Sequence, residues 1–593
     1  MTFEKLITDH IDIWSSALQT RSTAGRGSNG KIDLYGIKKL RELILELAVR
    51  GKLVPQDPND EPASELLKRI AAEKAELVKQ GKIKKQKPLP EISEDEKPFE
   101  LPSGWEWARL QDITSYIQRG KGPTYDENGT VYVVSQKCVQ WTGFNLTFAR
   151  FISDTTISKY GDERFLREHD LLWNSTGTGT AGRIIELPSV SAKRLVADSH
   201  VTVIRPLSIL SSFLCSYISS FGIQSRIEPD HENTLVSGTT NQVELSNSAV
   251  SSLPIPIPPS NEQNKIATTV QSLLSLCDQL EQQSLTSLNA HQQLVETLLS
   301  TLTDSQNTEE LAENWARISQ YFDTLFTTEA SIDALKQTIL QLAVMGKLVP
   351  QDPNDEPAYE LLKRIEQEKA QLVKEGKIKK QKPLPPVSDE EKPFALPVGW
   401  EWCRIIEIAQ VGTGATPSRD NPDYWQHPEF NWVTSGETSL PFIFNTAEKI
   451  SLKAVKETNV SIYSPGTLII AMYGQGKTRG QITELCISAG TNQACAAIQL
   501  FDTNEYHRRY VKLFFEKSYE DLRNLAAGGA QPNLNLAKVS NTLIPLPPFS
   551  EQIKIATKVE ELFKVCDTLK SRLQSAQQTQ LHLADALTDA ALN

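Results

Sequence analysis

The chain contains a long internal repeat, and this duplication constrains its fold more than any other feature. The stretch GKLVPQDPNDEPA occurs at Gly51–Ala63 and again, letter for letter, at Gly346–Ala358. Around it, Ile37–Trp107 aligns without gaps to Ile332–Trp402, and 53 of the 71 positions are identical. Self-similarity of this kind means that the fold contains the same structural frame twice.

A second pair of similar sequences closes each copy, at Ile255–Leu280 and Ile544–Leu569. Between the paired repeats lie two unlike segments, about Ala108–Leu253 and Cys403–Leu543. Drift after a duplication would not preserve the frames while erasing the similarity of the segments between them. We therefore interpret the chain as one scaffold that presents two different recognition modules.

The repeat predicts five segments in the 593 residues. They are an N-terminal helical frame at 1–107, a first recognition domain at 108–254, a central region with a long helix and the second frame at 255–402, a second recognition domain at 403–543, and a C-terminal helix at 544–593.

Helical periodicity is clear in the frames. Apolar spacing predicts helices at Ile37–Val49 and Ser64–Lys79, and a long helix from about Pro258 to Leu302, without Pro or Gly after its start. The long helix and its second copy carry apolar residues that alternate four and three positions apart, a pattern typical of a coiled-coil seam. The seam residues are Ile266, Val270, Leu273, Cys277 and Leu280 in the first copy, and Ile555, Val559, Leu562, Cys566 and Leu569 in the second. We predict that the two long helices pack as an antiparallel coiled coil and relate the halves by a pseudo-two-fold axis.

The two unlike segments are predicted to be mixed and rich in strands. Thr130–Ser135, Leu195–Ile204 and Gly466–Met472 are short β-rich runs. Each segment also has a glycine-rich loop, STGTGTAGRI at Ser175–Ile184 and YGQGKTRGQI at Tyr473–Ile482. The predicted fold class is therefore α+β, with two strand-rich domains separated by long helices.

Composition excludes several classes of protein. The seven cysteines are scattered and form no C-x-x-C pair, and the eight histidines form no zinc motif, so we expect neither a disulfide scaffold nor a metal site. No apolar run reaches the roughly 20 residues that span a bilayer. The N-terminus carries acidic residues and has no secretory pattern, so we expect a cytoplasmic protein.

Two stretches resemble enzyme motifs only superficially. Ala471–Thr478 reads AMYGQGKT, close to a phosphate-binding loop, but RGQITEL follows it with no helical period. A phosphate loop needs a helix there, so that backbone N–H groups meet the phosphate. Asn421–Tyr424 reads NPDY, where Asp423 disrupts the N-P-P-[YF] motif of amino-methyltransferases. We therefore expect no catalytic residues, no metal site and no cofactor in this chain.

Two divergent domains, each closed by a form of P-L-P-P-x-x-E-Q-x-K-I-A and a long helix, resemble a known family. The motif stands at Pro256–Ala267, with Ile257 where the family has Leu, and at Pro545–Ala556. With the duplicated GKLVPQDPNDEPA and GWEW frames, it is similar to the specificity subunits of type I restriction-modification systems, over nearly the whole chain.

The resemblance implies that each unlike segment is a target recognition domain that reads one half of a bipartite site in double-stranded DNA. It implies that the paired helices set the spacing and that the frames dock two methyltransferase subunits, which bring in motor-nuclease restriction subunits. S-adenosylmethionine, ATP and Mg are then expected in those partners. The net charge of −11 counts against a simple DNA binder, since such proteins are usually basic.

Candidate DNA-contacting residues are those whose side chains can pair with base edges or phosphates near the predicted loops. They are Arg119, Lys121, Lys137, Asn174, Arg183, Asn241 and Gln242 in the first domain, and Arg419, Lys477, Arg479, Asn492, Gln493, Gln531 and Asn533 in the second. Gly177, Gly179, Gly474 and Gly476 are expected to form the tight turns of the loops. We expect Trp141 and Trp432 in the core. The alternative function, from another class, is a non-enzymatic coiled-coil scaffold that recognises protein partners.

Overall fold

The computed structural model describes residues 3–21, 31–157, 160–177, 179–190, 194–239, 242–380, 384–474, 477–527 and 533–592. The chain forms two compact units. Unit 1 comprises residues 1–19, 34–285 and 579–593, and unit 2 comprises 20–33 and 286–578. The five-segment division predicted from the repeat remains a prediction.

The helices up to residue 304 are α1 (Phe3–Thr8), α2 (Ile11–Ser16), α3 (Tyr35–Val49), α4 (Ala63–Lys79), α5 (Asp154–Ile157), α6 (Ser211–Ser219), α7 (Phe221–Gln224), α8 (Asn247–Ser252) and α9 (Ser260–Asp304). The strands in this part are β1 (Gln19–Arg21), β2 (Lys31–Asp33), β3 (Glu106–Arg109), β4 (Thr114–Arg119), β5 (Val131–Val134), β6 (Val139–Gln140), β7 (Gly143–Phe144), β8 (Arg150–Ile152), β9 (Leu171–Asn174), β10 (Ile184–Glu186), β11 (Leu195–Ala197), β12 (Val201–Pro206), β13 (Val236–Thr239), β14 (Gln242–Leu245) and β15 (Pro254–Ile257).

The later helices are α10 (Thr308–Gln320), α11 (Phe322–Leu325), α12 (Glu329–Val344), α13 (Ala358–Lys374), α14 (Ile405–Ile408), α15 (Leu452–Glu457), α16 (Glu505–Lys517), α17 (Tyr519–Ala527), α18 (Leu536–Ser540) and α19 (Phe549–Leu592). The later strands are β16 (Glu401–Arg404), β17 (Ala409–Thr413), β18 (Phe430–Val433), β19 (Phe442–Ile443), β20 (Glu448–Ile450), β21 (Leu468–Ala471), β22 (Ile482–Leu485), β23 (Ala489–Thr491), β24 (Cys495–Leu500) and β25 (Leu543–Leu546).

The two variable domains share the order of seven strands although their sequences differ, and the second domain adds one strand, β19. The first has a four-stranded sheet of order β10-β9-β12-β4 and a three-stranded sheet of order β11-β5-β8. The second has the orders β17-β24-β21-β22-β19 and β20-β18-β23. In both small sheets the pairing with β11 or β23 is parallel and that with β8 or β20 is antiparallel. The α+β class with strand-rich domains is therefore confirmed.

The predicted β-rich runs correspond to strands, with one interruption. Each central strand, LLWN at β9 and LIIA at β21, is buried along its whole length, which explains why it reads as a continuous apolar run. The run from Leu195 to Ile204 is two strands, because residues 198–200 turn the chain from the small sheet into the large one.

The predicted frame helices are also present. Helices α3 and α4 match the two short predictions, and α9 and α19 are 45 and 44 residues long. Among the described helices, none combines the length and apolar character needed to cross a membrane.

Within unit 2, the segments of the two long helices run in opposite directions. On α19, Lys570 pairs with Asp333 at 3.0 Å and Asp567 with Lys336 at 2.5 Å, so α19 is antiparallel to α12. On α9, His291 Nε2 lies 2.9 Å from the Leu325 oxygen, while Thr303 O accepts from Lys347 Nζ at 2.6 Å. Helix α9 therefore runs parallel to the chain from 325 to 347, which contains α12.

Unit 1 repeats this arrangement around α3. Arg41 pairs with Asp278 of α9 at 2.6 Å, and Gln56, beyond the end of α3, reaches Glu262 near the start of α9 at 3.2 Å. Tyr35 donates to Asp585 of α19 at 2.6 Å, and Lys52 to the Leu592 carbonyl oxygen at 2.5 Å. Within each unit, the two long-helix segments are therefore antiparallel, as predicted.

The predicted seam needs one correction. Three residues of each set are buried, namely Ile266, Val270 and Cys277 on α9 and Ile555, Val559 and Cys566 on α19. The other two of each set are half-buried, namely Leu273 and Leu280 on α9 and Leu562 and Leu569 on α19. The α19 set does not face only the other long helix. It shares a core with Ile332, Leu335 and Ile339 of α12 and with Val295, Leu299 and Leu302 of α9. Helix α12 takes part because it buries residues on a broad face, which has to be covered by more than one neighbouring helix.

The closing motif joins each frame to its variable domain through two adjacent side chains. Glu262, buried at the start of α9, accepts from Trp105 Nε1 at 3.0 Å and from Gln56 Nε2 at 3.2 Å. Gln263 accepts from the backbone N–H of Leu210, which precedes α6 of the variable domain, at 2.9 Å.

Unit 2 has the same junction. Glu551 accepts from Trp400 at 2.9 Å and from Gln351 at 2.6 Å, and Gln552 lies 3.0 Å from His507 of α16. Burial raises the pKa of the Glu262 and Glu551 carboxyls, and their hydrogen bonds oppose that shift.

We predict that Trp400→Phe destabilises the protein more than Trp402→Phe does. Both changes remove the same indole atoms, but only Trp400 donates to the buried Glu551. Trp402 Nε1 has no hydrogen-bond partner among the described residues, and its ring packs on Phe394 at 5.1 Å. Losing a hydrogen bond to a buried carboxylate costs about 1–3 kcal/mol. Equal free energies of unfolding for the two variants, measured by denaturant titration, would contradict this.

Candidate nucleic-acid interface

Each variable domain gathers its polar loops at one edge of its sheets. In the first domain, β4 and β9 are both antiparallel to β12, so their C-terminal ends lie at the same edge. Because β5 is parallel to β11, its C-terminal end lies beside residues 198–200, which lead into β12. The second domain brings together the ends of β17, β21, β18 and β23 in the same way. We call these the loop edges.

The glycine-rich loop of the first domain is a tight turn, as predicted. Gly177 has φ +104 and Gly179 has φ +73, backbone conformations that favour glycine. Arg183 spans the loop, donating from Nη2 to Gly179 O at 2.7 Å and from Nη1 to Gln140 Oε1 at 2.7 Å. The β13–β14 hairpin packs beside the loop through a bridge between Thr176 and Glu244.

The other first-domain candidates fall into three groups. Lys121 and Lys137 are exposed at the loop edge. Arg119 pairs with Glu244 at 2.5 Å, so part of its charge is neutralised. Asn241 lies outside the described residues, and Gln242 is placed only by its backbone in β14.

Asn174 is a structural residue, contrary to the prediction that it contacts DNA. It is fully buried at the end of β9, and its Nδ2 donates to Gln136 O at 3.1 Å and Val139 O at 3.5 Å. Gln136 O also accepts from the Val139 backbone N–H, and Val139 is the first residue of β6, so the Asn174 amide ties the end of β9 to the turn before that strand. Asn174 therefore positions the loop that carries Gln136 and Lys137.

In the second domain, Lys477 is exposed on the glycine-rich loop, and its carbonyl oxygen accepts from Tyr519 at 2.5 Å. Arg479 is half-buried beside the same tyrosine, and Gly474 has φ +148, as expected of a turn glycine. Strand β22 follows, so the helix that a phosphate-binding loop requires is not present. Gly476 lies outside the described residues.

Three of the remaining second-domain candidates, Arg419, Asn492 and Gln493, lie near the loop edge. Arg419 pairs with Glu448 at 2.6 Å, and Gln493 accepts from the Thr416 hydroxyl. Asn492 is half-buried and caps its own turn by accepting from the Ala494 backbone at 3.0 Å. Asn533 is half-buried and offers its carbonyl oxygen to Lys538, whereas Gln531 lies outside the described residues.

The two predicted core tryptophans differ. Trp432 is buried, as expected, but Trp141 has 56% of its surface exposed. The reason is local, since Trp141 stands in the turn between β6 and β7, a short hairpin with no layer packed over its tip.

Sequence reasoning missed one polar residue of the first domain, Arg150. It begins β8 and stacks on the ring of Tyr125, with 3.7 Å between guanidinium carbon and ring centroid. No motif marked it, because its neighbour in space is 25 residues away in sequence.

The loop edges offer cationic and amide donors, and the described residues include no cluster of His, Cys, Asp and Glu suited to a metal ion. One carboxyl at the first edge, Asp198, is buried, which raises its pKa, and it accepts from the backbone N–H of His200 at 2.8 Å. Such an edge can bind an anionic, acceptor-rich ligand through hydrogen bonds.

We expect Asn174→Ala to destabilise the first domain by about 1–3 kcal/mol, since it removes the buried hydrogen bonds of the Asn174 amide to Gln136 O and Val139 O. Lys137→Ala, an exposed change on the loop that Asn174 holds, should alter stability by less than about 0.5 kcal/mol. Thermal and denaturant unfolding of both variants measures the difference. A stable Asn174→Ala protein would show that this side chain is not structural.

Comparison with known proteins identifies the family. A family model described as the type I restriction modification DNA specificity domain matches residues 102–290 and 397–577. A solved chain, from work on complex assembly and conformational transition of the type I R-M system, is 16% identical. Its TM-score is 0.49, and the match covers 84% of this chain and 99% of that one.

Two curated relatives match from end to end. The chain is 52% identical to the EcoEI specificity subunit and 48% identical to the EcoAI specificity subunit, both from type I restriction enzymes of Escherichia coli, with all of each sequence covered. The chain therefore belongs to the type I restriction-modification specificity subunits, the family that recognises the DNA site in these systems.

Proposed function

We propose that each variable domain reads one half of a bipartite site in double-stranded DNA. The observation that carries this proposal is that two domains built on the same arrangement of strands present different side chains at their loop edges. Seven strands follow the same order in the two domains, and the second domain adds β19 at the edge of its large sheet. Lys121, Lys137 and Arg183 lie at one loop edge, and Arg419, Lys477 and Arg479 lie at the other. A shared scaffold with different donors is what two different half-sites require.

The frames and long helices hold the two readers and the partner subunits in this proposal. Each frame docks one methyltransferase subunit, through which the restriction subunits join. Its loop, Pro55–Asn59 or Pro350–Asn354, is identical in the two copies and exposed. Helices α9 and α19, each with residues in both units, act as the spacer between half-sites.

The acidic net charge of −11 fits a subunit whose attraction to phosphates is supplemented by its partners. Phosphate contacts usually dominate the affinity of DNA-binding proteins. In this proposal the methyltransferase subunits supply many of the phosphate contacts, and this chain supplies the selectivity for the DNA sequence.

We predict that exchanging Ala108–Leu253 for the corresponding segment of another specificity subunit changes one half of the methylated motif. The contacts of Glu262 with Trp105 and Gln56 lie outside the exchanged segment, so the other half-site and the spacer should stay unchanged. Methylome sequencing of cells that carry the complete system gives the motif directly. A change in both halves would show that the domains do not read independently.

We predict that Lys137→Ala and Lys477→Ala each weaken DNA binding by the assembled methyltransferase. Each lysine is exposed at a loop edge. Loss of one phosphate contact should weaken binding similarly across sequences. It should also reduce the slope of log affinity against log salt concentration, the salt slope, by about 1. Lys68→Ala, an exposed lysine of the frame helix α4, serves as the control. Equal salt slopes for all three variants would place the loop edges away from DNA.

We propose that this chain is not catalytic and that S-adenosylmethionine, ATP and Mg bind in the partner subunits. The strand after Lys477 and Thr478, where a nucleotide-binding loop needs a helix, supports this. The purified chain should not hydrolyse ATP. ATP turnover that is abolished by Lys477→Ala would overturn the proposal.

A further inference from the structure

We propose that Arg150 contacts DNA, with Arg419 as its counterpart in the second domain. In each domain an aromatic ring packs against a guanidinium and restricts it, so that its donors can meet two adjacent acceptors of double-stranded DNA. This inference rests on the proposed function and adds a residue that no sequence motif indicates.

In the first domain the stack begins at Arg150 near the loop edge, and Tyr125 lies farther from that edge, bridged to Ile152 opposite Val131. Arg150 is the first residue of the outer strand β8 and pairs across the sheet with Val133, one residue before β5 ends. Its guanidinium carbon lies 3.7 Å from the centroid of Tyr125, a ring that is 41% exposed. No carboxylate among the described residues pairs with Arg150, so its donors face solvent.

The second domain builds the same stack from different residues. The guanidinium carbon of Arg419, from the loop after β17, lies 3.9 Å from Trp425 and 5.5 Å from Trp432. Glu448 binds it at 2.6 Å. Glu448 pairs with Trp432 of β18, so it occupies the sheet position that Arg150 occupies in the first domain.

The two stacks therefore share a place in the topology but not a sequence origin. Arg150 belongs to the outer strand β8. Arg419 belongs to a loop and is bound by Glu448, which occupies the equivalent position of β20. Stacking restricts a long side chain, and the planar fork of arginine then loses less entropy when it forms paired hydrogen bonds. Paired acceptors of this kind are presented by a phosphate and by the O6 and N7 atoms of guanine.

A second stacked arginine in the first domain provides a matched control. Arg194 lies over Phe165 at 4.3 Å, also exposed, and immediately precedes β11. Since Leu195 pairs with Tyr132 in a parallel register, Arg194 lies at the level of Val131, two residues farther from the loop edge than Arg150 and on the opposite side of the small sheet. If stacking served only stability, the two arginines should behave alike.

The test uses the chain assembled with its methyltransferase subunits and a duplex that contains the methylated motif. Arg150→Ala should weaken binding about tenfold or more, the scale of one lost bidentate contact. Arg150→Lys should remain several-fold weak, because it keeps the charge without the fork, and Tyr125→Leu should lose part of the affinity with Arg150 intact. Arg194→Ala should bind as the unmodified protein does. Thermal unfolding of each assembled complex checks that the fold is retained.

The same variants distinguish the two acceptors. If Arg150 meets a base, methylome sequencing of Arg150→Ala should show a relaxed position in one half-site. If it meets a phosphate, the motif should persist while the salt slope falls by about 1. Equal affinity and motif for Arg150→Ala and Arg194→Ala would overturn the inference. The proposed function would stand in that case, provided that exchange of the whole first domain still changes one half-site.

Discussion

The buried carboxylate at the start of each long helix is the contact on which the frame depends. Glu262 and Glu551 each accept hydrogen bonds from a tryptophan of the GWEW stretch and a glutamine of the GKLVPQ loop. A carboxylate with less than a tenth of its surface exposed is costly unless it is bonded in this way. The adjacent glutamine extends the junction to the variable domain. Two neighbouring residues of the motif thus join three parts of each unit, which explains why the paired segments resist divergence together.

The surrounding glycines show the same coupling. Gly51 and Gly346 have φ near +67, and a Cβ atom at either would lie 2.5 Å from a proline of the LP-x-GWEW stretch. A larger residue would push the loop away from the tryptophan that binds the carboxylate. The identity of GKLVPQDPNDEPA in the two copies therefore has a packing reason as well as the docking role proposed for its exposed residues.

The frames could be predicted well from the sequence, because helical spacing and an exact repeat are visible in the order of residues along the chain. The two short helices, the long helices and their opposed directions were all predicted from such patterns. The seam was predicted only in part, since burial of Ile555 and Val559 can be deduced from spacing but the participation of α12 cannot. At the loop edges, residue type was a poor guide. Asn174 has the chemistry of a base-reading residue and yet supports a loop, while Arg150 acquires its neighbour Tyr125 only through the sheet.

That difference follows from how the variable domains are built. Their cores need only apolar residues at the strand positions, and LLWN and LIIA satisfy the same central strand although they share one letter. Core packing tolerates such exchanges when volume and pattern are kept. The loops beyond the strands are free to vary, because the strands alone fix where they emerge. Specificity can then change at the edge while the frame keeps its contacts, and the arginine stacks illustrate this. The guanidinium occupies one place in the topology, although a strand supplies it in one domain and a loop in the other.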